Sequence, residues 1–174
     1  MNYHLRRTLS LLAATALVGV CILGFLLATS PALAAIRQLE EAPGQIVYQS
    51  RRSLADQRGD RWRAIAFNRI RPDASTSFDL RLVGFPGTAA IDRDRPLTLI
   101  SSLGQSVTAR DASSQIFTAA PEPHIGQYDL QPVVAQLPAA IPMQLVLPML
   151  DQEDAVFSLS PALIQEWKVV AAYD

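Results

Sequence analysis

Arg61 to Gly87, read as RWRAIAFNRI (61–70), RPDASTS (71–77) and FDLRLVGFPG (78–87), decides the fold class. The first piece is rich in aromatic and branched residues, free of glycine and proline, and suits a strand. Pro72 to Ser77 is a turn cluster. Beyond it Phe78, Leu80 and Leu82 alternate with Asp79 and Arg81, the period of two that puts one face in a core and the other in water. Gly84-Phe85-Pro86-Gly87 ends the run, because proline lacks a ladder donor and glycine admits positive φ.

Strands continue on both sides of this stretch. Upstream, Gln45 to Leu54 suits a strand that pairs with Arg61 to Ile70 across a turn holding Gly59-Asp60. Ile36 to Gly44, charged and ending in Pro-Gly, reads as a lead-in segment. Downstream come short strands at Leu97 to Ile100, Ser106 to Ala109 and Gln115 to Thr118, then an extended loop from Ala119 to Gly126. Leu130 to Leu137 reads as a short helix capped by Asp129, with a strand as the alternative. Met143 to Met149 is a strand with Met143, Leu145, Leu147 and Met149 on one face, and a turn at Asp151 to Asp154 leads into Ala155 to Leu159.

Ser160-Pro161 has the form of a helix start, serine as cap and proline at the first helical position. Leu163, Ile164, Trp167 and Val170 or Ala171 then share one face, leaving Glu166 and Lys168 on the proposed wet side. The expected class is mainly β (α+β): an antiparallel β-sandwich or rolled sheet with one C-terminal amphipathic helix and a second short helix at 130–137.

Residues 1–34 have the order of a secretory signal: basic Arg6 and Arg7, an apolar run from Leu9 to Ala28, and a small-residue end at Ala32-Leu33-Ala34. Residues 9–28 are also long enough to act as an uncleaved membrane anchor. The expected organisation is a signal or anchor at 1–34, a lead-in at 35–44 and a single globular domain at 45–174. Cleavage after Ala34 would remove Cys21, the sole cysteine, and leave 13 basic against 16 acidic residues, a net charge of −3. That balance excludes a general nucleic-acid binder. The charge is uneven, with 11 arginines against 8 acids in Arg37 to Arg95, so a basic and an acidic side are expected.

No catalytic, cofactor-binding or metal-binding residues stand out. His124 lies in a proline-containing loop; a triad would need it to meet Ser113 or Ser114 and Asp111, and there is no nucleophile elbow. A single histidine and no cysteine in the mature part leave no zinc or copper ligand set. Asp151, Glu153 and Asp154 lack calcium-loop spacing. Arg58-Gly59-Asp60 is explained as turn chemistry, Asp92 and Asp94 have counter-charges at Arg93 and Arg95, and Gly126-Gln127-Tyr128 has the outline of a corner in which the tyrosine bonds back to the backbone.

Four segments, EAPGQIVYQS (41–50), LVGFPG (82–87), GQYDLQP (126–132) and Glu166-Trp167, together resemble a family of small exported cyanobacterial proteins classified only as a domain of unknown function. The likeness covers most of the mature chain. It implies a cyanobacterial source, with the periplasm or thylakoid lumen as destination, and it implies no activity. The reading favoured is a non-catalytic interaction or assembly module on the far side of a membrane, with a membrane protein complex as partner, no nucleic acid and no cofactor. The alternatives are a hydrolase using His124 and a small-ligand carrier with a pocket in the sheet.

Overall fold

The computed structural model describes residues 36–87, 89–116 and 122–174. Nine strands form one antiparallel sheet: β1 (Ile36–Ala42), β2 (Gln45–Ala55), β3 (Arg61–Ile70), β4 (Thr76–Val83), β5 (Leu97–Ser101), β6 (Ser106–Asp111), β7 (Ile125–Asp129), β8 (Met143–Leu147) and β9 (Ala155–Leu159). Their spatial order is β1-β2-β3-β4-β7-β6-β5-β8-β9. Helix α1 (Pro161–Ala171) follows, capped by the Ser160 hydroxyl, which accepts from the Leu163 N–H at 3.3 Å.

The rolled sheet is the alternative found, with all nine strands in one hydrogen-bonded order. The roll brings β9 back toward the β2–β3 turn, where Asp56 bridges to Phe157 and the Phe157 ring meets Trp62 edge-on at 5.8 Å. Gln57 finishes the join. Its N–H donates to the Val156 carbonyl at 3.0 Å, and its side-chain oxygen accepts from the Val156 N–H at 2.6 Å. One backbone group and one side-chain group of Gln57 thus supply the two hydrogen bonds that a neighbouring strand would make to Val156.

Even-numbered residues of β3 and β4 (Trp62, Ala64, Ala66, Phe78, Leu80, Leu82) face the inside, where they meet Leu97, Leu99, Leu145 and Phe157 from the other half of the roll. α1 lies on the inner side of β2 and β3. The small side chains of Ala64 and Ala66 leave room there for Leu163, Ile164, Trp167 and Val170, all of which join the core. Asn68 then holds the helix end, donating to the Tyr173 carbonyl at 2.7 Å, and Tyr48 stacks on Tyr173 with centroids 3.8 Å apart.

Five local expectations need correction. Ile36–Ala42, expected as a lead-in, is the edge strand β1, joined to β2 by a tight turn in which Gly44 takes φ +74°. Ser113–Gln115 is a 3-10 turn where a strand was expected from Gln115; residues 117–121 of that expectation and of the following loop lie outside the described residues. The end of that loop, Ile125–Gly126, begins β7. Between 130 and 137 only Val134–Gln136 is helical, as one 3-10 turn, and Asp129 accepts from the Gln131 N–H at 3.0 Å as a turn former instead of capping a helix. Finally, Glu166 is buried: its carboxylate accepts from the Ser50 hydroxyl and from the Arg52 guanidinium.

Candidate functional site

The odd-numbered residues of β2, β3 and β4 form the outer face of the sheet. In register across β1 to β7 they align as Arg37, Gln49, Phe67, Asp79 and Asp129, with Arg110 of β6 beyond. The neighbouring rows place Arg69 beside Val47 and Ser77, and Arg81 beside Ile65 and Gln127. Arg61 and Arg63 extend the same face toward the β2–β3 turn. Seven arginines (37, 51, 61, 63, 69, 81, 110) therefore share a surface with three acids, Glu41, Asp79 and Asp129, an excess of four positive charges on a chain whose net charge is −1.

Phe67 sits at the centre of this face and is only 4% exposed, although it lies outside the core cluster. Two guanidiniums cover it: Arg69 and Arg81 stand 5.2 and 5.3 Å from its ring centroid, within cation–π range. Their planar heads are fixed by acceptors at the rim. Glu41 receives Arg69 at 2.9 Å, and the Gln127 amide oxygen receives Arg81 at 2.8 Å. Arg51 is received by Gln49 at 2.9 Å. Amide acceptors orient an arginine without cancelling its charge, and no ion pair is formed by Arg51 or Arg81 among the described residues.

Asp79 is the costly member of the face. It is 2% exposed, lies directly opposite Asp129, and its Oδ2 has no hydrogen-bond partner. Burial first, and the Asp129 charge second, push its carboxyl above the usual range. Burial, and then Arg69 beside it, pushes the Arg81 guanidinium down.

Of the candidate residues of the sequence, Ser113 and Asp111 are brought together, and His124 does not join them by any hydrogen bond among the described residues. His124 lies before β7, with its Nδ1 4.0 Å from Glu122, and no hydrogen bond joins it to a serine. Ser113, fully buried, donates to Asp111 at 2.7 Å and accepts from the Gln127 N–H at 3.0 Å, so this hydroxyl braces β7. Asp154 accepts from Arg95 at 2.7 and 3.0 Å and from the Met149 N–H at 3.2 Å, which occupies the carboxylate a cation would need. Among the described residues no group of three or more His, Cys, Asp or Glu is placed to hold a metal. Asp56 organises the Arg58-Gly59-Asp60 turn, accepting from both the Arg58 and Asp60 N–H groups at 2.9 Å. Tyr128 makes no corner bond: its hydroxyl is buried in the core without a partner.

The inside of the roll is filled by the core side chains. Open clefts among the described residues include two that share Ala89 and Gln152. One of about 160 Å³ is lined by Arg58, Arg61, Trp62 and Phe85, and the other, of about 300 Å³, by Gly87, Ala90, Pro123 and Asp151. No helix among the described residues is long and apolar enough to cross a membrane; residues 9–28 fall outside them. The outer face itself was half legible, since Arg61, Arg63 and Arg69 lie an even number of residues apart in one strand and so share a side. What the sequence could not show is that Arg81 and Arg110 reach the same surface from β4 and β6.

Neither a curated protein nor a solved structure matches the chain. One family model does, over residues 34–170, and its description reads "Protein of unknown function (DUF3122)". That description carries no organism and no compartment, so the cyanobacterial source and the periplasmic or lumenal destination gain nothing from it. Nor is the chain cysteine-free, since Cys21 is part of it, and the sandwich gives way to a single sheet. The match runs from β1 through nearly all of α1 and contains the four quoted segments, and on that coverage the chain belongs to the DUF3122 family.

Proposed function

We propose that the domain is a non-catalytic binding module that presents its arginine-rich outer sheet face to an acidic protein surface. The observation that carries this reading is the segregation of charge: seven arginines against three acids on one face of a chain that is slightly acidic overall. Complementary potential of this kind steers encounter and sets register. A pI near 6.1 argues against nucleic acid as the partner. The partner proposed is a membrane protein complex, reached after residues 1–34 direct the chain across a membrane; support for that route is the basic, apolar and small-residue order of those residues. If residues 9–28 stay uncleaved, the same face works from a membrane tether.

Site-specific photo-crosslinking in the native host tests the reading. A photoreactive side chain at Arg63 is expected to capture a protein through a segment richer in Asp and Glu than in Lys and Arg, with a yield that falls as salt rises. The same group at Leu103, exposed in the turn after β5, is expected to capture none. Capture from position 103 and not from 63, or capture of nucleic acid at 63, overturns the proposal.

A further inference from the structure

The two edges of the sheet differ. At β9 the Val156 N–H and carbonyl are taken by Gln57. At β1 one side of the strand pairs with β2, and among the described residues nothing pairs with the other. An open strand binds another strand when the backbones can meet and the facing side chains agree.

Arg37, Leu39 and Glu41 share the outer face at this edge. Glu41 is aimed there by Arg69 and by the Gln45 side-chain amide, both at 2.9 Å, while Arg37 makes no ion pair among the described residues. Turned antiparallel and laid against itself about Leu39, this strand is its own complement. Arg37 faces Glu41, Leu39 faces Leu39, Glu41 faces Arg37, and on the other side Gln38 faces Glu40. Opposite charges directly across a strand pair stabilise it, and like charges destabilise it. The neighbouring registers that keep the faces aligned are worse: about Gln38 no charges pair, about Glu40 two Glu40 side chains collide, and about Arg37 two arginines do.

We infer that β1 pairs with β1 of a second copy of this chain, antiparallel and centred on Leu39. The charges and the bulge between Glu40 and Ala42, which repel an arbitrary strand, admit this one because it brings the matching sequence. Pairing runs from Arg37 to Glu41 and stops there, at the bulge. The two outer faces then lie side by side, doubling the basic surface. The contact is one short strand wide, so the dimer is weak and depends on concentration.

Sedimentation of protein purified after expression of the full chain provides the test. Wild type is expected to pass from monomer to twice that mass as concentration rises. Arg37→Glu alone places Glu opposite Glu41, and Glu41→Lys alone places Lys opposite Arg37; each is expected to weaken the dimer about tenfold or more. An equimolar mixture of the two variants restores both opposite-charge pairs and should dimerise as wild type does. A second measurement does not depend on Glu41: with Cys21→Ser in the background, Leu39→Cys should form a disulfide-linked dimer under mild oxidation, because position 39 meets itself across the pair. Glu40→Cys, which faces Gln38, should not. A wild type that stays monomeric throughout, single variants that dimerise like wild type, or equal cross-linking at 39 and 40 each overturns the inference.

Discussion

Glu166 and Ser50 are joined by a buried hydrogen bond between residues 116 positions apart, the Ser50 hydroxyl donating to the Glu166 carboxylate on the core side of β2. Arg52 donates to the other carboxylate oxygen, so the helix is pinned by polar contacts along the same flank that packs Trp167.

Two variants of α1 follow from that arrangement. Trp167→Ala removes a side chain that is 1% exposed and should cost about 3 to 5 kcal/mol. Glu166→Ala leaves the Ser50 hydroxyl and a guanidinium without an acceptor and should cost about 1 to 3 kcal/mol. Lys168→Ala, which loses only a 3.3 Å bond to the Ala135 carbonyl, should stay within about 0.5 kcal/mol. Urea unfolding of the three variants checks the ranking, and equal costs for Glu166→Ala and Lys168→Ala would contradict it.

Gly84 is required by packing, since a Cβ there would stand 2.8 Å from a ring carbon of Trp62. Gly84→Ala should therefore cost about 1 to 3 kcal/mol. Combining it with Trp62→Leu should cost less than the sum of the two changes, because the smaller side chain vacates the contested space. Thermal denaturation of the double-mutant cycle reads this coupling, and strict additivity would place the clash elsewhere.

Asp79 makes stability fall as pH rises. Its carboxyl is held above the ordinary value near 3.8 by burial and by Asp129, so the folded state binds that proton more tightly than the unfolded chain does. Stability is then favoured below the unfolded pKa and eroded as pH climbs through the folded one. Asp79→Asn should stabilise the domain by on the order of 1 kcal/mol at neutral pH. The gain should vanish toward pH 3, where the wild-type group is protonated in both states. A variant less stable than wild type at pH 7 would show that Arg69 and Arg81 hold a charged Asp79.

Asp154 works in the opposite sense. Hydrogen bonds from Arg95 hold its carboxyl below the usual range, so its contribution is present above about pH 4 and is lost as pH falls through the lowered folded value. Asp154→Asn should be less stable than wild type at neutral pH and should show a shallower acid limb, converging with wild type at the lowest pH. Acid titration followed by circular dichroism distinguishes this from an unchanged profile.

Strands that alternate between core and water were legible because each buries one face, as Phe78, Leu80 and Leu82 do. The two strands that escaped notice lack that contrast. Every residue of β1 is at least partly exposed, so IRQLEEA carries no apolar period. β7 opens Ile-Gly-Gln, and its glycine reads as a turn, yet Gly126 is there because the Tyr128 ring lies 3.0 Å from where a Cβ would be. Glu166 was misplaced for a related reason. A helical pattern sorts residues by hydrophobicity, and nothing in it signals that Ser50 and Arg52 wait on the facing strand. The outer face was hardest to read, since its rows are assembled from strands that are neighbours only in the folded sheet.

Gln57 also limits what the protein can become in bulk. Growth of a fibre by strand addition needs two sticky ends on every unit, one to receive and one to offer. With Gln57 seated on β9, the Val156 N–H and carbonyl are taken, while among the described residues nothing pairs with the outer side of β1, so the two ends are unequal at the backbone level. Losing the Gln57 amide would free the Val156 N–H at the far edge, a donor that another strand could then engage, which gives one side chain a role in guarding this sheet against strand addition.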